Sequence, residues 1–314
     1  MNKQELKVVF MGTPEFSVNI LEGLIDEYQV IGVVTQPDKE VGRKREIKFS
    51  PIKEVALKNQ ISVFQPEKIK QEYQNIVDLN PDMIVTCAYG QLIPKELLEL
   101  PKYGCINVHA SLLPKLRGGA PIHKAIIDNY PRTGVTIMYM VEKMDAGDII
   151  SQKETIIEKT DNVGTLHDRL SIMGKELLLK TIPNIIDGTI KPVSQDEQEV
   201  TYAWNIKREE EKIDFNKKTL EIFNQIRGLN PWPGAYAVLD GKIVKIYDSR
   251  ISDSFFTTRK NGEIGKIYED GIGVSTSDGE IIITCLQFEG KRKMTVKEYL
   301  NGRDGESLIG KIFE

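Results

Sequence analysis

Hydrophobic and polar positions follow two textures along this chain. In the first, short apolar runs alternate with amphipathic stretches. Leu6 to Met11 is a mainly apolar run closed by Gly12-Thr13-Pro14, and it predicts a buried strand. Phe16 to Glu27 has apolar residues near helical spacing and predicts a helix. Val30 to Val34 predicts a second strand, ending in Thr35-Gln36-Pro37-Asp38. Ser50 to Lys58, with Pro51 near its start, and Gln71 to Leu79 predict two more helices. Ser62 to Phe64, Met83 to Cys87 and Gly104 to Val108 predict three further strands. Strands alternating with helices imply right-handed βαβ units and an open, mainly parallel sheet with helices on both faces. Sites in such sheets lie at the carboxyl ends of the strands, where Tyr89-Gly90 and His109-Ala110-Ser111 fall. Val135 to Val141 predicts one more strand, Glu142 to Gly147 a loop, and Leu166 to Asp187 a long amphipathic helix.

The second texture begins after a polar, linker-like stretch from Ile190 to Asp214. Thr219 to Arg227 predicts a short helix. Short strands are then expected at Tyr236 to Leu239, Ile243 to Ile246, Gly265 to Tyr268 and Glu280 to Leu286. Asp240-Gly241, Asn261-Gly262 and Asp278-Gly279 between them are hairpin signals. This pattern predicts a small antiparallel barrel. The expected organisation is a domain over 1–189, a linker over 190–206 and a smaller domain over 207–314.

Composition narrows the class. The chain has 314 residues, 40% hydrophobic and 28% charged, with a net charge of -4. That mild acidity leaves a nucleic-acid partner open, because binding needs a local basic surface and not a basic total. Cys87, Cys105 and Cys285 lack CxxC spacing, which argues against a disulfide scaffold or zinc site and for reduced, mostly buried thiols. No signal-peptide pattern and no run of 18 apolar residues is visible, so a cytoplasmic globular protein is expected.

Asn107-Val108-His109 is the most informative tripeptide. On a strand, Asn107 and His109 point to the same face. One supplies an amide donor for a developing oxyanion, the other a group able to exchange protons near neutrality. Alone, Asn107 reads as structural, and His109 reads equally as a hydrogen-bonded core histidine or as a functional one. Asp145, in Met144-Asp145-Ala146-Gly147-Asp148, reads by default as a turn residue. His123 and His167 sit in helical patterns without partners and read as structural. A dinucleotide-dependent oxidoreductase would want GxGxxG after the first strand. Gly12-Thr13-Pro14-Glu15-Phe16-Ser17 lacks the two later glycines.

Asn107 to Pro114, followed by Arg117-Gly118-Gly119-Ala120-Pro121-Ile122, resembles the core signature of the folate-dependent formyltransferases. Thr133 to Ile137 and Asp145-Ala146-Gly147-Asp148-Ile149 resemble that family's later block. The resemblance implies a Rossmann-like sheet, like the one argued above, and no metal. It implies Asn107, His109 and Asp145 as the catalytic trio and 10-formyltetrahydrofolate as formyl donor. It also implies folate contacts from Ser111, Leu112, Leu113 and Pro114. Tyr89, Gly90, Gln91, Leu92 and Ile93, with Glu142 to Asp145, are similar to the two segments that flank the pterin.

Members of this family differ in the amine they formylate. Three segments resemble the members that act on initiator methionyl-tRNA. The first runs from Thr35 to Lys53 and includes Gly42-Arg43-Lys44-Arg45, where three successive cations suit phosphate contact. By itself that run reads as solvated charge. The second is Arg227 to Ala235, where Trp232 is expected in a core. The third is Phe288 to Met294 with Leu300-Asn301-Gly302, whose Lys291, Arg292 and Lys293 suit either phosphate contact or a solvated turn. The implied second domain is an OB-type barrel that helps hold tRNA, and a monomer suits a one-to-one complex with tRNA. There is a departure: the family's linker reads Tyr-Ala-Pro-Lys-Ile, and here it is Tyr202-Ala203-Trp204-Asn205-Ile206, followed by Lys207-Arg208. A sugar-nucleotide amine as acceptor, a formyltetrahydrofolate hydrolase module, and a catalytically silent tRNA binder are the alternatives.

Overall fold

A computed structural model describes residues 5–41, 46–253 and 259–314. The chain divides into two compact units, each described by itself. The first comprises 1–121, 133–155 and 167–204; the second comprises 122–132, 156–166 and 205–314.

The elements up to residue 186 are β1 (Lys7–Gly12), α1 (Val18–Glu27), β2 (Gln29–Val34), β3 (Lys39–Val41), β4 (Glu46–Lys48), α2 (Pro51–Lys58), β5 (Val63–Phe64), α3 (Gln74–Val77), β6 (Met83–Cys87), α4 (Lys95–Leu98), β7 (Cys105–His109), α5 (Pro121–Ile127), β8 (Arg132–Tyr139), β9 (Ile149–Ile156) and α6 (Val163–Ile186), of which all but α5 lie wholly or mainly in the first unit. A seven-stranded sheet runs in the order β5-β2-β1-β6-β7-β8-β9. Strands β5, β2, β1, β6 and β7 pair in parallel, and β8 is antiparallel to β7. The chain builds outward from β1 through β2 to β5, then crosses to start again at β6 on the other side of β1. That crossing is a topological switch point, which opens a crevice beyond the strands' carboxyl ends. Apolar side chains from both halves, among them Val9, Met11, Val34, Ile84 and Leu97, form one buried cluster.

Local sequence accounts for the element limits. Pro51 takes the first helical position of α2, where its missing N–H costs nothing, and Ser50 Oγ accepts the Lys53 N–H at 3.1 Å. The expected helix at Gln71 to Leu79 contracts to α3. The hairpin β3–β4 replaces what reads as loop, and β9 is an unanticipated strand at the sheet edge. Strand β9 has little apolar alternation in its sequence, and its positions are half-buried or exposed. Residues 190–204, expected as linker, hydrogen-bond along this unit. Val193 bridges Ile149, and Tyr202 bridges Arg117 in parallel.

The second unit adds α7 (Arg208–Glu211), α8 (Thr219–Gly228), β10 (Ala235–Leu239), β11 (Lys242–Ile251), β12 (Ile264–Ile267), β13 (Ile272–Ser275), β14 (Glu280–Phe288), β15 (Met294–Thr295) and α9 (Val296–Leu300). The antiparallel sheet has the order β10-β11-β14-β13-β12, with β15 on β14. Asp240 and Gly241 both have positive φ (51° and 72°), the conformation that a tight hairpin between β10 and β11 requires. Its two edges do not pair directly. Residues Ile312 and Phe313 bridge Glu263 and Leu239, so the C-terminal segment links them. Ile222, Ile226, Val244, Ile246, Ile281 and Ile283 are buried inside, with Ile127 packed against them. Trp232 corrects an expectation: it is 44% exposed and sets its ring edge-on to His123 at 6.5 Å. The Asn230–Pro231 and Trp232–Pro233 peptides flanking it are both cis.

No helix among the described residues is long and apolar enough to cross a membrane.

Candidate active site

Strand β7 carries Asn107 and His109, both buried, on one face at its carboxyl end. Thr86 lies opposite Asn107 in the neighbouring strand β6 and donates its hydroxyl to Asn107 Oδ1 at 2.8 Å. That bond orients the amide and leaves Nδ2 with no partner among the described residues. An oriented, uncommitted N–H pair is what a developing oxyanion needs.

His109 Nε2 lies 3.0 Å from the Leu116 carbonyl oxygen. A carbonyl only accepts, so Nε2 carries the proton. Nδ1 is then the nitrogen free to gain and lose a proton, and it faces Asp145 Oδ2 at 3.8 Å. Asp145 is itself held from several sides. Its Oδ2 accepts the Gly118 N–H at 2.8 Å. Its backbone is left-handed (φ 49°), uncommon for a residue with a side chain. Gln195 Nε2 donates to the carbonyls of Asp145 (2.9 Å) and Gly147 (2.7 Å), which fixes that turn. Gln195 Oε1 in turn accepts from Arg117 Nε (3.0 Å) and Nη2 (2.8 Å). Arg117 is fully buried, and its Nη2 also reaches Glu197 at 3.0 Å. Gly147 has no alternative residue here: a Cβ would lie 1.8 Å from the Tyr139 carbonyl oxygen.

The loop after β7 is rigidly tied. Ser111 Oγ donates to the Lys115 carbonyl at 2.6 Å, and the Ser111 carbonyl accepts from Thr136 Oγ1 at 2.6 Å. Leu113 N–H donates to Thr136 Oγ1, and Gln152 Nε2 donates to the Leu113 carbonyl. The hydroxyl of Ser111 is thus committed within the protein, as are both main-chain polar groups of Leu113. Leu112 and Pro114 are half-buried. The Tyr89–Ile93 segment follows β6. Tyr89 and Ile93 are buried, Gly90 has φ 93°, and Leu92 is exposed. Gln36 Nε2 and Thr13 Oγ1 both donate to the Tyr89 carbonyl, at 3.0 and 3.1 Å. Gln91 is a tie: its Oε1 accepts the Ile69 N–H at 2.9 Å.

The structure therefore brings Asn107, His109 and Asp145 together and places the Ser111–Pro114 loop directly after the strand that carries two of them. Arg43, Lys44 and Arg45 lie outside the described residues. Sequence reasoning missed Thr86, Thr136, Gln152 and Gln195. Burial pushes the Cys87 thiol up to about 12 and raises that of Cys105 as well, so neither offers a thiolate at neutral pH.

Residues 6–182 match the formyl transferase family model, and 205–304 match the formyl transferase C-terminal domain. The chain belongs to the formyl transferase family. Among its formyl transferase relatives is methionyl-tRNA formyltransferase of Bacillus subtilis (strain 168), 52% identical over 96% of this chain and 96% of its own. The enzyme of that name from Staphylococcus aureus (strain MW2) is 52% identical over 97% of this chain and 98% of its own. In fold the chain is similar to HypX from Aquifex aeolicus, solved in complex with tetrahydrofolic acid, with a TM-score of 0.65 at 18% identity. That match covers 96% of this chain, which spans about half (47%) of the HypX chain.

Proposed function

We propose that this formyl transferase carries the formyl group from 10-formyltetrahydrofolate to the amino group of methionine on initiator methionyl-tRNA. The observation that carries the reading is the Asn107–His109–Asp145 arrangement, in a chain 52% identical to relatives that bear that activity in their names. The donor brings an activated formyl carbonyl on nitrogen. Asn107 Nδ2 donates to the carbonyl oxygen as negative charge develops there, a contribution of about 3 kcal/mol for one well-placed donor. His109 Nδ1 gains or gives the proton that must move between the attacking amine and the leaving nitrogen. Asp145 holds the ring and offsets the positive charge it carries in the doubly protonated form. Tyr89 to Ile93, Ser111 to Pro114 and the turn before Asp145 would flank the folate. The half-buried Leu112 and exposed Leu92 supply apolar surface for a pterin.

Arg43, Lys44 and Arg45 would contact acceptor-end phosphates, with residues 207–314 as a tRNA-holding domain. A cytoplasmic monomer suits a one-to-one complex with tRNA. The test is to supply N10-formyltetrahydrofolate and initiator methionyl-tRNA and to detect formyl-methionine. Turnover of a sugar-nucleotide amine or of water instead, with no formyl-methionine, would overturn the acceptor assignment.

A further inference from the structure

The departure at Tyr202-Ala203-Trp204 is also a departure in surface chemistry. Tyr202 is 43% exposed and Trp204 58% exposed, yet their rings are ordered against one another. The centroids lie 5.1 Å apart and the planes are parallel to within 4°. Between them, Ala203 is fully buried, and its N–H and carbonyl bond to Arg117 O (2.7 Å) and Ala120 N (3.0 Å). Two residues apart on an extended segment, the aromatic side chains emerge on the same side. The segment is therefore a rigid mount, and the rings form a flat aromatic surface with an outer face left to water.

The mount is fastened to the same loop that organises the site. Leu116 accepts from His109, Gly118 donates to Asp145, and Arg117 and Ala120 hold Ala203. We infer that Tyr202 and Trp204 form a stacking platform for an unpaired nucleobase at the 3′ end of the acceptor tRNA. This rests on the proposed acceptor. Methionine is esterified to the terminal ribose of that end, so delivering its amine to Asn107 and His109 brings unpaired bases to the surrounding surface. Every base has a π-face, so aromatic stacking holds a single strand without hydrogen-bond readout. The parallel rings are already ordered in the free protein, which lowers the entropy lost on binding.

Two measurements test the platform. The chain has two tryptophans, so Trp232→Phe leaves Trp204 as the sole indole reporter. Intact, uncharged initiator tRNA should quench its fluorescence, whereas the same tRNA stripped of its unpaired 3′ nucleotides should not. Equal quenching by both, or none by either, would overturn the inference. In turnover, Trp204→Ala should raise KM for methionyl-tRNA about tenfold with kcat and folate KM unchanged, and Trp204→Phe should restore most of it. An unmoved tRNA KM in Trp204→Ala sinks the platform while leaving the activity in place. A wild-type protein that makes no formyl-methionine sinks the acceptor assignment, and the fluorescence arm then judges the platform alone.

Discussion

His109 gives one ring nitrogen to the Leu116 carbonyl and turns the other toward Asp145, so the two faces of the imidazole have different duties. Replacing it with Gln removes the proton carrier but keeps a polar side chain in the buried site beside the Leu116 carbonyl. Formyl transfer should fall roughly 10²–10⁴-fold with the thermal transition little changed; near-normal turnover would remove His109 from the mechanism. Gln195 touches neither reacting partner in this scheme. It pins the Asp145 and Gly147 carbonyls, and through them the left-handed turn that aims the Asp145 carboxylate. Gln195→Ala should lower kcat about tenfold with both KM values held, and its pH–rate profile should shift because the groups around His109 have moved. A change confined to Tm would make Gln195 merely structural. The sequence made Asn107 and His109 legible as a pair, because strand alternation is a local rule. Asp145 was legible only through family resemblance, and Gln195 not at all, since it meets Asp145 from 50 residues away.

Strands β1, β2, β6 and β7 could be read from apolar runs bounded by turn residues, because the carboxyl-terminal half of each is buried. Edge elements could not: β9 alternates between half-buried and exposed positions, and the hairpin β3–β4 is short and charged. In the second unit, the start of α8 depends on a residue far along the chain. Asp278 Oδ1 accepts the Thr219 N–H at 2.7 Å and the Thr219 hydroxyl at 2.9 Å. The Thr219 N–H bond holds the Asp278 carboxyl below the usual carboxylate range. A carboxyl lowered in the folded state stabilises above its unfolded value and loses that contribution as pH falls through the folded one. Asp278→Ala should therefore cost about 1 kcal/mol at neutral pH. The gap between variant and wild type in denaturant titrations should close below about pH 4. A gap that persists at pH 2 would mean that the charge is not what caps the helix.

At the scale of the molecule, the second unit is assembled from three separate stretches of chain. His123 Nδ1 bonds the Gly228 carbonyl at 2.8 Å, and Asn224 donates to Asn129 at 3.1 Å. Arg227 Nη1 donates to the carbonyls of Glu158 (2.9 Å) and Asp161 (3.1 Å), and Lys124 pairs with Glu210. A fragment beginning at residue 205 keeps the sheet but loses all of these partners. It should unfold at a lower temperature than the second unit does in the whole chain; an equal Tm would show that 122–132 and 156–166 add nothing. Sequence texture suggested one boundary near 205, because composition changes there. It gave no sign that earlier residues return to the later unit, since helix α5 looks the same whichever neighbour it serves.

That three-part construction also has a consequence in time. His123 and Gly228 are 105 residues apart. At a synthesis rate of about 5–20 residues per second, the earlier stretch waits roughly 5–20 seconds for its partner to be made. During that interval Ile127 has no second-unit core to enter, and the nascent chain presents it to whatever is near. Slowing translation between residues 132 and 205 lengthens the interval, so the yield of folded protein should depend on elongation speed in that span more than elsewhere.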